Sequence, residues 1–177
     1  MSEPTNPVGG AGAATFVEDL FFTDAFLIKG RLQNKSKRLT NVLEAHNRSF
    51  VRILDATMVS LRAPETIRTP NVLIHVDEIL FAHELLDLGS DPAMRRMATP
   101  VKSNRVRAFY NGNLQFELAG TIEAGAYEEQ PSGRKYFIMQ NPVLRGLELE
   151  HPELALLKKL DYAIVRKDKL AYLFDFG

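Results

Sequence analysis

The same alternating pattern occurs in both halves of this 177-residue chain. It is F-x-I-x-G-x-L over residues 26–32 and F-x-L-x-G-x-I over residues 116–122. Apolar residues at every second position share one face of an extended strand, and a glycine inside such a strand marks a bend, a bulge or a closely approaching backbone. The repeated pattern therefore predicts a chain built from two related β-rich units.

An apolar strand and a tight connection precede each copy of this pattern. Residues 16–22 lead to Thr23-Asp24, and residues 106–110 lead to Asn111-Gly112. An Asn-Gly pair between two alternating segments is a strong signal for a hairpin. Both units are therefore predicted to open with a strand, a turn and a bent strand.

Two further blocks follow each copy in the same order. Residues 50–58 align with residues 136–144, and both predict a strand, a polar pair and a second strand. Residues 76–81 align with residues 160–165, and both predict a final strand that is entered through an aspartate. Several matching blocks in one order favour the duplication of a single unit.

The composition between these blocks sets the domain boundaries. Glycine and proline dominate the N-terminus, and Gly89, Asp91, Pro92 and Pro100 surround the connection between the units. Such segments bury too little apolar surface to offset the entropy lost on ordering. The predicted order is a flexible N-terminal tail (1–14), a first β-barrel repeat (15–88), a linker (89–101) and a second β-barrel repeat with a C-terminal strand (102–177).

One short helix is predicted, and it lies in the first unit. Arg38–Glu44 carries apolar residues at positions i, i+3 and i+4, which is the spacing of an amphipathic helix. The corresponding residues 127–133 of the second unit read as a loop. Residues 151–160 suit either a helical turn or an irregular segment.

The order of strand, tight turn, bent strand, longer excursion and two closing strands resembles the Sm-like small barrel, a five-stranded SH3-type fold. The R-L-T-N-V-L-E stretch of the first unit also resembles a bacterial domain of unassigned function that carries R-L-S-D-x-L-N before a hydrophobic strand. The expected fold class is mainly β, with two tandem small Sm-like (SH3-like) β-barrels and one short helix in the first.

The Sm-like resemblance implies ring-shaped oligomers and the binding of single-stranded RNA through two loops. One loop carries aspartate and asparagine, and Asn41 would match it. The other carries an Arg-Gly-Asp-like motif, of which Asp77 or Asp161 matches only the aspartate, because His75-Val76 and Lys159-Leu160 stand in place of Arg-Gly.

A run of basic residues gives the nucleic-acid hypothesis its own support. Phosphate groups are contacted by long flexible cations, and no acid lies between Asp24 and Glu44. The alternative is a solvated hairpin rim, since base-stacking aromatic residues are missing from this stretch. The predicted contact residues are Lys29, Arg31, Lys35, Lys37, Arg38 and Asn41.

Catalysis and metal binding are not expected. The absence of cysteine removes disulfides, thiolate metal sites and thiol nucleophiles, and no serine has the context of a nucleophile elbow. His75 and Asp77 would share one face of a strand near His83 and Glu84, but a metal would require another ligand from elsewhere. We therefore expect a non-enzymatic protein with no metal and no cofactor.

The charge balance and the hydropathy pattern indicate the environment. Lysine and arginine total 22, as do aspartate and glutamate, so the whole molecule has no field to draw it onto nucleic acid or an anionic membrane. Neither a signal peptide nor a membrane-spanning run is readable. These features, with the missing cysteines, predict a cytoplasmic protein without a membrane partner.

The C-terminal strand is the predicted interaction element. Its large apolar residues, Leu170, Tyr172, Phe174 and Phe176, alternate strictly and so share one face that must be covered. It either closes the second barrel within the chain or pairs with a sheet edge of another subunit. The expected function is a protein-interaction or assembly module that binds a protein partner or itself, and the alternative is an Sm-like single-stranded RNA-binding protein.

Overall fold

The structure is a computed structural model that describes residues 18–35, 37–45, 49–85, 102–129, 131 and 133–177. The tail predicted for residues 1–14 and the linker predicted for residues 89–101 lie outside the described residues. The first half has five strands, β1 to β5, one α-helix, α1, and one turn of 3-10 helix. In chain order these are β1 (Glu18–Phe22), β2 (Phe26–Leu32), α1 (Leu39–Leu43), β3 (Phe50–Ser60), β4 (Thr66–His75), the 3-10 turn (Val76–Glu78) and β5 (Phe81–Leu85).

The described residues of the second half form five more strands, β6 to β10, and two 3-10 segments. In chain order these are β6 (Ser103–Asn111), β7 (Gln115–Glu123), β8 (Tyr136–Arg145), a 3-10 segment (Leu154–Lys159), β9 (Tyr162–Arg166), a 3-10 turn (Lys167–Lys169) and β10 (Tyr172–Asp175). The first 3-10 segment occupies the stretch for which the sequence favoured no single structure. Residues 124–129, which follow β7 as the segment containing α1 follows β2, form turns and irregular structure.

The ten strands form one open antiparallel sheet in the order β10-β6-β7-β8-β9-β5-β1-β2-β3-β4. The mainly-β class is confirmed, but two tandem closed barrels are not, because the sheet is continuous and open. Its two halves meet where β5 pairs with β9, with Phe81 opposite Val165 and Ala82 opposite Ile164. We call this pairing the internal junction.

The helix predicted for Arg38–Glu44 is confirmed as α1 (Leu39–Leu43). Its buried side chains, Leu39, Val42 and Leu43, join the core beneath the first half, as the i, i+3, i+4 spacing predicts. The Glu84 carboxylate of β5 accepts a hydrogen bond from the Leu39 amide at 3.2 Å, which satisfies one of the free N–H groups of the first turn.

Both glycines of the alternating pattern lie where a neighbouring strand approaches too closely for a side chain. A Cβ on Gly30 would lie 2.8 Å from the Leu54 carbonyl oxygen, and one on Gly120 would lie 2.7 Å from the Gln140 carbonyl oxygen. The pairing register shifts at both glycines. The sequence predicted that the polar pairs opposite these glycines separate two strands. This is wrong, because β3 and β8 each continue through the polar pair as one bulged strand.

The predicted alignment of the final strands is wrong. Residues 160–165 were matched to residues 76–81, but β9 pairs with β8 as β4 pairs with β3, with Tyr136 opposite Arg166 and Phe50 opposite His75. A 3-10 turn follows each of these strands, and the next strand pairs with the first strand of its half. By its pairing, β10 is therefore the counterpart of β5.

Two hydrophobic clusters fill the core, and each takes residues from both halves. One contains Phe81 and Val59 of the first half with Phe137 and Val165 of the second. The other contains the residues under α1 with Tyr162 and Ile164 of β9. The internal junction is therefore a packed interface and not only a line of hydrogen bonds.

Candidate functional site

The C-terminal strand β10 forms one end of the sheet and pairs with β6 on one side only. The predicted apolar face is present for three of its four residues, since Tyr172, Phe174 and Phe176 are exposed. Leu170 precedes the strand and packs with Leu173 against the core. We call this strand, with its three exposed aromatic side chains, the C-terminal edge.

Hydrogen bonds from two other elements hold this edge in place. The Asp175 carboxylate accepts from the Asn104 side-chain amide at 2.8 Å and from the Tyr127 hydroxyl at 3.0 Å. The hydrogen bond from Asn104 is the main reason that the pKa of Asp175 is lowered, and the Gly177 amide adds to it. The strand is thus fixed on β6 through its backbone and its one acidic side chain, while its aromatic face stays open.

The other end of the sheet is β4, and it also carries exposed apolar residues. Ile67 and Leu73 lie on β4 itself, and Phe50 lies beside its end on β3. Pro70 lies within the strand, and a proline in a sheet is tolerated at an edge because it has no N–H to donate. We call β4 with Phe50 the β4 edge.

The predicted basic contact residues are mostly bound to carboxylates. Lys35 Nζ lies 2.6 Å from Asp19 Oδ1 and 2.5 Å from Glu84 Oε1, and Arg38 Nη2 lies 2.7 Å from Glu84 Oε2. Asp19 and Glu84 are buried. These two cations therefore compensate carboxylates in the protein, which limits what they offer to a phosphate.

The other predicted contact residues are spread over the same region without converging. Lys29 lies 3.4 Å from Glu18 Oε2, and Arg31 is paired with Asp55. Lys37 and Asn41 are exposed. The sequence correctly indicated a local excess of cations along the chain, but their partners are distant in sequence and were not readable from it.

Asp19 is the most perturbed acid of this region. Burial raises its pKa to about 6, against the opposing effect of the hydrogen bond from Lys35. Its second carboxylate oxygen, Oδ2, is buried without a hydrogen-bond partner in the described part of the chain. Burying an oxygen in this way penalises the ionised form, which is why the proton is held more tightly.

The histidine and carboxylate residues considered for a metal are not brought together. His83 is buried, its Nδ1 lies 2.9 Å from the Tyr162 carbonyl oxygen, and burial lowers its pKa. His75 and Asp77 lie at the surface near the end of β4. Within the described ranges, no three histidine or acidic residues are grouped as metal ligands.

Arg166 is a structural residue that the sequence did not reveal. It is almost fully buried at the internal junction, where it donates to the Val76 carbonyl at 2.8 Å and to the Asp77 carboxylate at 2.7 Å. It also donates to the Asp168 carboxylate of the following 3-10 turn, at 2.6 Å. A lone arginine in the segment V-R-K-D-K looks like one more exposed cation, so nothing local marked it.

A search of protein-family models, curated proteins and solved structures found no match for this chain. In the part of the chain that the structure describes, no helix has the length and apolar character needed to cross a membrane.

Proposed function

We propose that this protein is a non-enzymatic protein-interaction or assembly module that binds its partner through the free ends of its sheet. The observation that carries the proposal is that both terminal strands, β10 and β4, present exposed apolar side chains beside unpaired backbone. An edge strand of this kind is a template for pairing with another chain, because its outward N–H and C=O groups have no strand to bond.

The side chains of the C-terminal edge support a role in binding. Soluble proteins usually protect an edge strand with charges, proline, a bulge or a covering segment, and Pro70 protects part of the β4 edge in this way. The C-terminal edge instead exposes Tyr172, Phe174 and Phe176, and aromatic side chains are enriched at protein interfaces. The rings of Phe174 and Phe176 lie with centroids 5.5 Å apart and so form one continuous apolar surface.

We further infer that the two halves are repeats of one five-stranded unit. Each half has the same strand order, β5-β1-β2-β3-β4 in the first and β10-β6-β7-β8-β9 in the second. Joining both units in one open sheet leaves a free strand at each end. The lack of cysteine suits a reducing compartment such as the cytoplasm.

The single-stranded RNA alternative has less support. Four of its six contact residues, Lys29, Arg31, Lys35 and Arg38, form ion pairs within the chain. Base stacking requires exposed aromatic rings near the cations. Among the described residues, the most exposed aromatic side chains lie on or just after β10 and, as Phe50, on β3 beside the β4 edge.

Retention of partners by a tagged full-length chain tests the proposal. The variant Y172T/F174T/F176T keeps the β-propensity of the C-terminal edge and removes its aromatic face. We expect the wild-type chain to retain at least one protein from an extract of its own cells and this variant to lose it. V143T is the matched control, because Val143 is also an exposed apolar strand residue but lies on β8, away from both ends.

Two outcomes would contradict the proposal. One is retention of the same proteins by the wild type and by the triple threonine variant. The other is retention of RNA in place of protein, lost steeply with added salt, which would favour the alternative because phosphate contacts weaken in that way.

A further inference from the structure

We infer that the partner at these edges is a second copy of this chain, bound head to tail, with β10 of one copy paired to β4 of the next. The inference rests on the proposed function and names the occupant of the same two edges. It follows from the internal junction, which already contains the contact that a second copy would repeat.

The pairing registers show which strands correspond. In the first half, β1 pairs with β5 so that Phe22 lies opposite Phe81, and in the second half β6 pairs with β10 so that Phe109 lies opposite Tyr172. Gly30 lies opposite Asp19 of β1 and Gly120 lies opposite Val106 of β6, which gives the same correspondence between β1 and β6. β10 therefore stands in the second half as β5 stands in the first, and β9 stands as β4.

The internal junction uses one strand of each kind. β5 of the first half pairs with β9 of the second, and the two strands left at the ends are their counterparts, β10 and β4. Each chain thus has one free strand of the β5 kind and one of the β4 kind. Pairing between such unlike surfaces is heterologous, so copies join in series and form a closed ring or an open filament.

The exposed apolar side chains are the counterparts of side chains that the internal junction buries. Phe81 corresponds to Tyr172, His83 to Phe174, Ile164 to Leu73 and Tyr136 to Phe50 by the registers above. At the junction their exposed fractions are 2% for Phe81, 6% for His83, 1% for Ile164 and 3% for Tyr136. At the free ends they are 66% for Tyr172, 62% for Phe174, 52% for Leu73 and 54% for Phe50.

The same correspondence gives the register between two copies. Phe81 opposite Val165 becomes Tyr172 opposite Ile74, and Ala82 opposite Ile164 becomes Leu173 opposite Leu73. Pro70 ends the stretch of β4 that can pair, because it lacks a donor. The register places Asn71–Ile74, the four residues that follow Pro70, opposite the four residues of β10 (Tyr172–Asp175).

The two halves carry different side chains at corresponding positions on one face of the sheet, and this difference fits the head-to-tail arrangement. Leu20, Leu27 and Val59 of the first half share a cluster with Leu154 and Leu157, which belong to the long connection between β8 and β9. The counterparts of the first three in the second half are Arg107, Glu117 and Arg145, an ion-paired group.

A neighbouring copy would bring its first half to that charged face. The connection between β3 and β4 is only residues 61–65, so it has no segment comparable to residues 146–161. The charged group therefore needs no apolar cover, since the side chains of Arg107 and Arg145 reach solvent and pair with the buried Glu117. The contact between copies is concentrated on the paired strands and their side chains.

Two single substitutions test the head-to-tail geometry, one at each end of the sheet. Y172K places a charge on the C-terminal edge, and L73E places one on the β4 edge. We expect the purified wild-type chain to form multimers, and each variant to run as a single chain when it is alone. Mixing the two variants should give a dimer, because the intact β10 of L73E chains can pair with the intact β4 of Y172K chains.

The measurement is native mass over a range of protein concentration, with V143E as the control that keeps the wild-type mass. Circular dichroism and urea midpoints would establish that each variant remains folded, as expected for exposed positions. A wild type that stays a single chain, an L73E variant that still self-associates, or a mixture without dimers would each overturn the inference.

These outcomes are distinguishable from failure of the proposed function. If the purified chain is a single copy but the triple threonine variant still loses a protein that the wild type retains, the edges bind a different partner and only the present inference fails. If nothing is lost by that variant either, both fail.

Cysteine cross-linking tests the register, since the chain has no cysteine of its own. Residues opposite each other in an antiparallel pair lie at a Cα separation that a disulfide can span. We expect chains carrying L73C to cross-link to chains carrying L173C under mild oxidation. Chains carrying V143C should not cross-link to L173C, and equal cross-linking of the two would overturn the register.

Discussion

The internal junction and the free ends of the sheet share a strand arrangement but differ in exposure. Phe81 and Ile164 are buried where β5 meets β9, whereas their counterparts Tyr172 and Leu73 lie open. Alternation in sequence identifies a strand face that must be covered, but it does not say whether the cover comes from the same chain. One chain can therefore bury a strand face at an internal pairing and leave the corresponding face exposed at the ends of its sheet.

The two halves also differ in how they treat charge. The first half buries Asp19 and Glu84 beneath Lys35 and Arg38, while the counterpart of Asp19 in β6 is Val106, which lies in an apolar core. Among the described residues, only the first half has α1 and the basic segment that leads to it. Lys35 and Arg38 are therefore best explained as the counter-charge for two buried acids, whose counterparts in the second half are Val106 and the half-buried Asp175.

The largest effect is expected from removing an aromatic side chain at the internal junction. Phe81 stacks on Phe22 with ring centroids 4.5 Å apart, so Phe81→Ala should lower the free energy of unfolding by about 3 to 5 kcal/mol. Tyr172→Ala, at the corresponding free position, should cost the dilute single chain under about 0.5 kcal/mol. Urea unfolding compares the two, and equal costs would remove the distinction between covered and open strands.

Gly30→Val and Gly120→Val should each lower the free energy of unfolding by about 3 kcal/mol, because a side chain would collide with a strand backbone. The nearest backbone atom to the added Cβ is a carbonyl oxygen, at 2.8 Å in the first half and at 2.7 Å in the second. Gly112→Ala is the control, since a Cβ there meets nothing within 4 Å. A loss at only one of the two glycines would show that the halves are not equivalent at their bends.

The buried acid of the first half predicts a pH dependence that the second half lacks. The pKa of Asp19 is raised from 3.8 to about 6, so its carboxyl holds a proton more tightly in the folded chain than in the unfolded one. Stability from this group is then present at low pH and falls as pH rises from about 4 to about 6, by about 2 to 3 kcal/mol.

Asp19→Asn removes this titration. We expect the stability difference between the variant and the wild type to shift in favour of the variant across that pH range and to level off above it. Urea midpoints at several pH values measure the difference, in which the titration of groups that do not interact with Asp19 cancels. A difference that does not change with pH would contradict the raised pKa.

Local patterns predicted the elements of this fold better than their partners. The apolar spacing of Arg38–Glu44 was sufficient for α1, since only near neighbours matter for a helical face. The sequence predicted that Asp161 and the strand after it correspond to Asp77 and β5, but Asp168 also precedes an apolar strand. Only the long-range pairing of β9 with β8 shows that β10, after Asp168, is the counterpart of β5.

The candidate site shows the same limit. The alternation of Tyr172, Phe174 and Phe176 predicted a shared face, and the structure has it. The partners of Lys35 and Arg38 lie on β1 and β5, and Arg166 reaches across the internal junction to Asp77. No spacing in the sequence connects these residues, because each ion pair joins elements that come together only in the folded sheet.

The smallest expected effect concerns the bulges that face the two glycines. Asp55 and Asn141 occupy corresponding places in β3 and β8, and both have a left-handed backbone, with φ of 50° and 47°. Alanine is strained there by about 1 kcal/mol, whereas asparagine and aspartate offset this strain by local hydrogen bonding of their short polar side chains. Glycine has no Cβ and is not strained, although it loses more entropy on folding. Asn141→Gly should therefore leave the free energy of unfolding within about 0.5 kcal/mol of the wild type, whereas Asn141→Ala should lower it by about 1 kcal/mol.

Asp55 adds a second interaction to the same backbone, because its carboxylate is paired with Arg31. Asp55→Gly removes this exposed ion pair as well, and such pairs contribute about 0 to 1 kcal/mol. The glycine variant should thus be less favourable at position 55 than at position 141 by at most that amount, and Arg31→Met should reduce the gap between them. If alanine were tolerated as well as glycine at either position, the left-handed bulge would not be a shared requirement of the two halves.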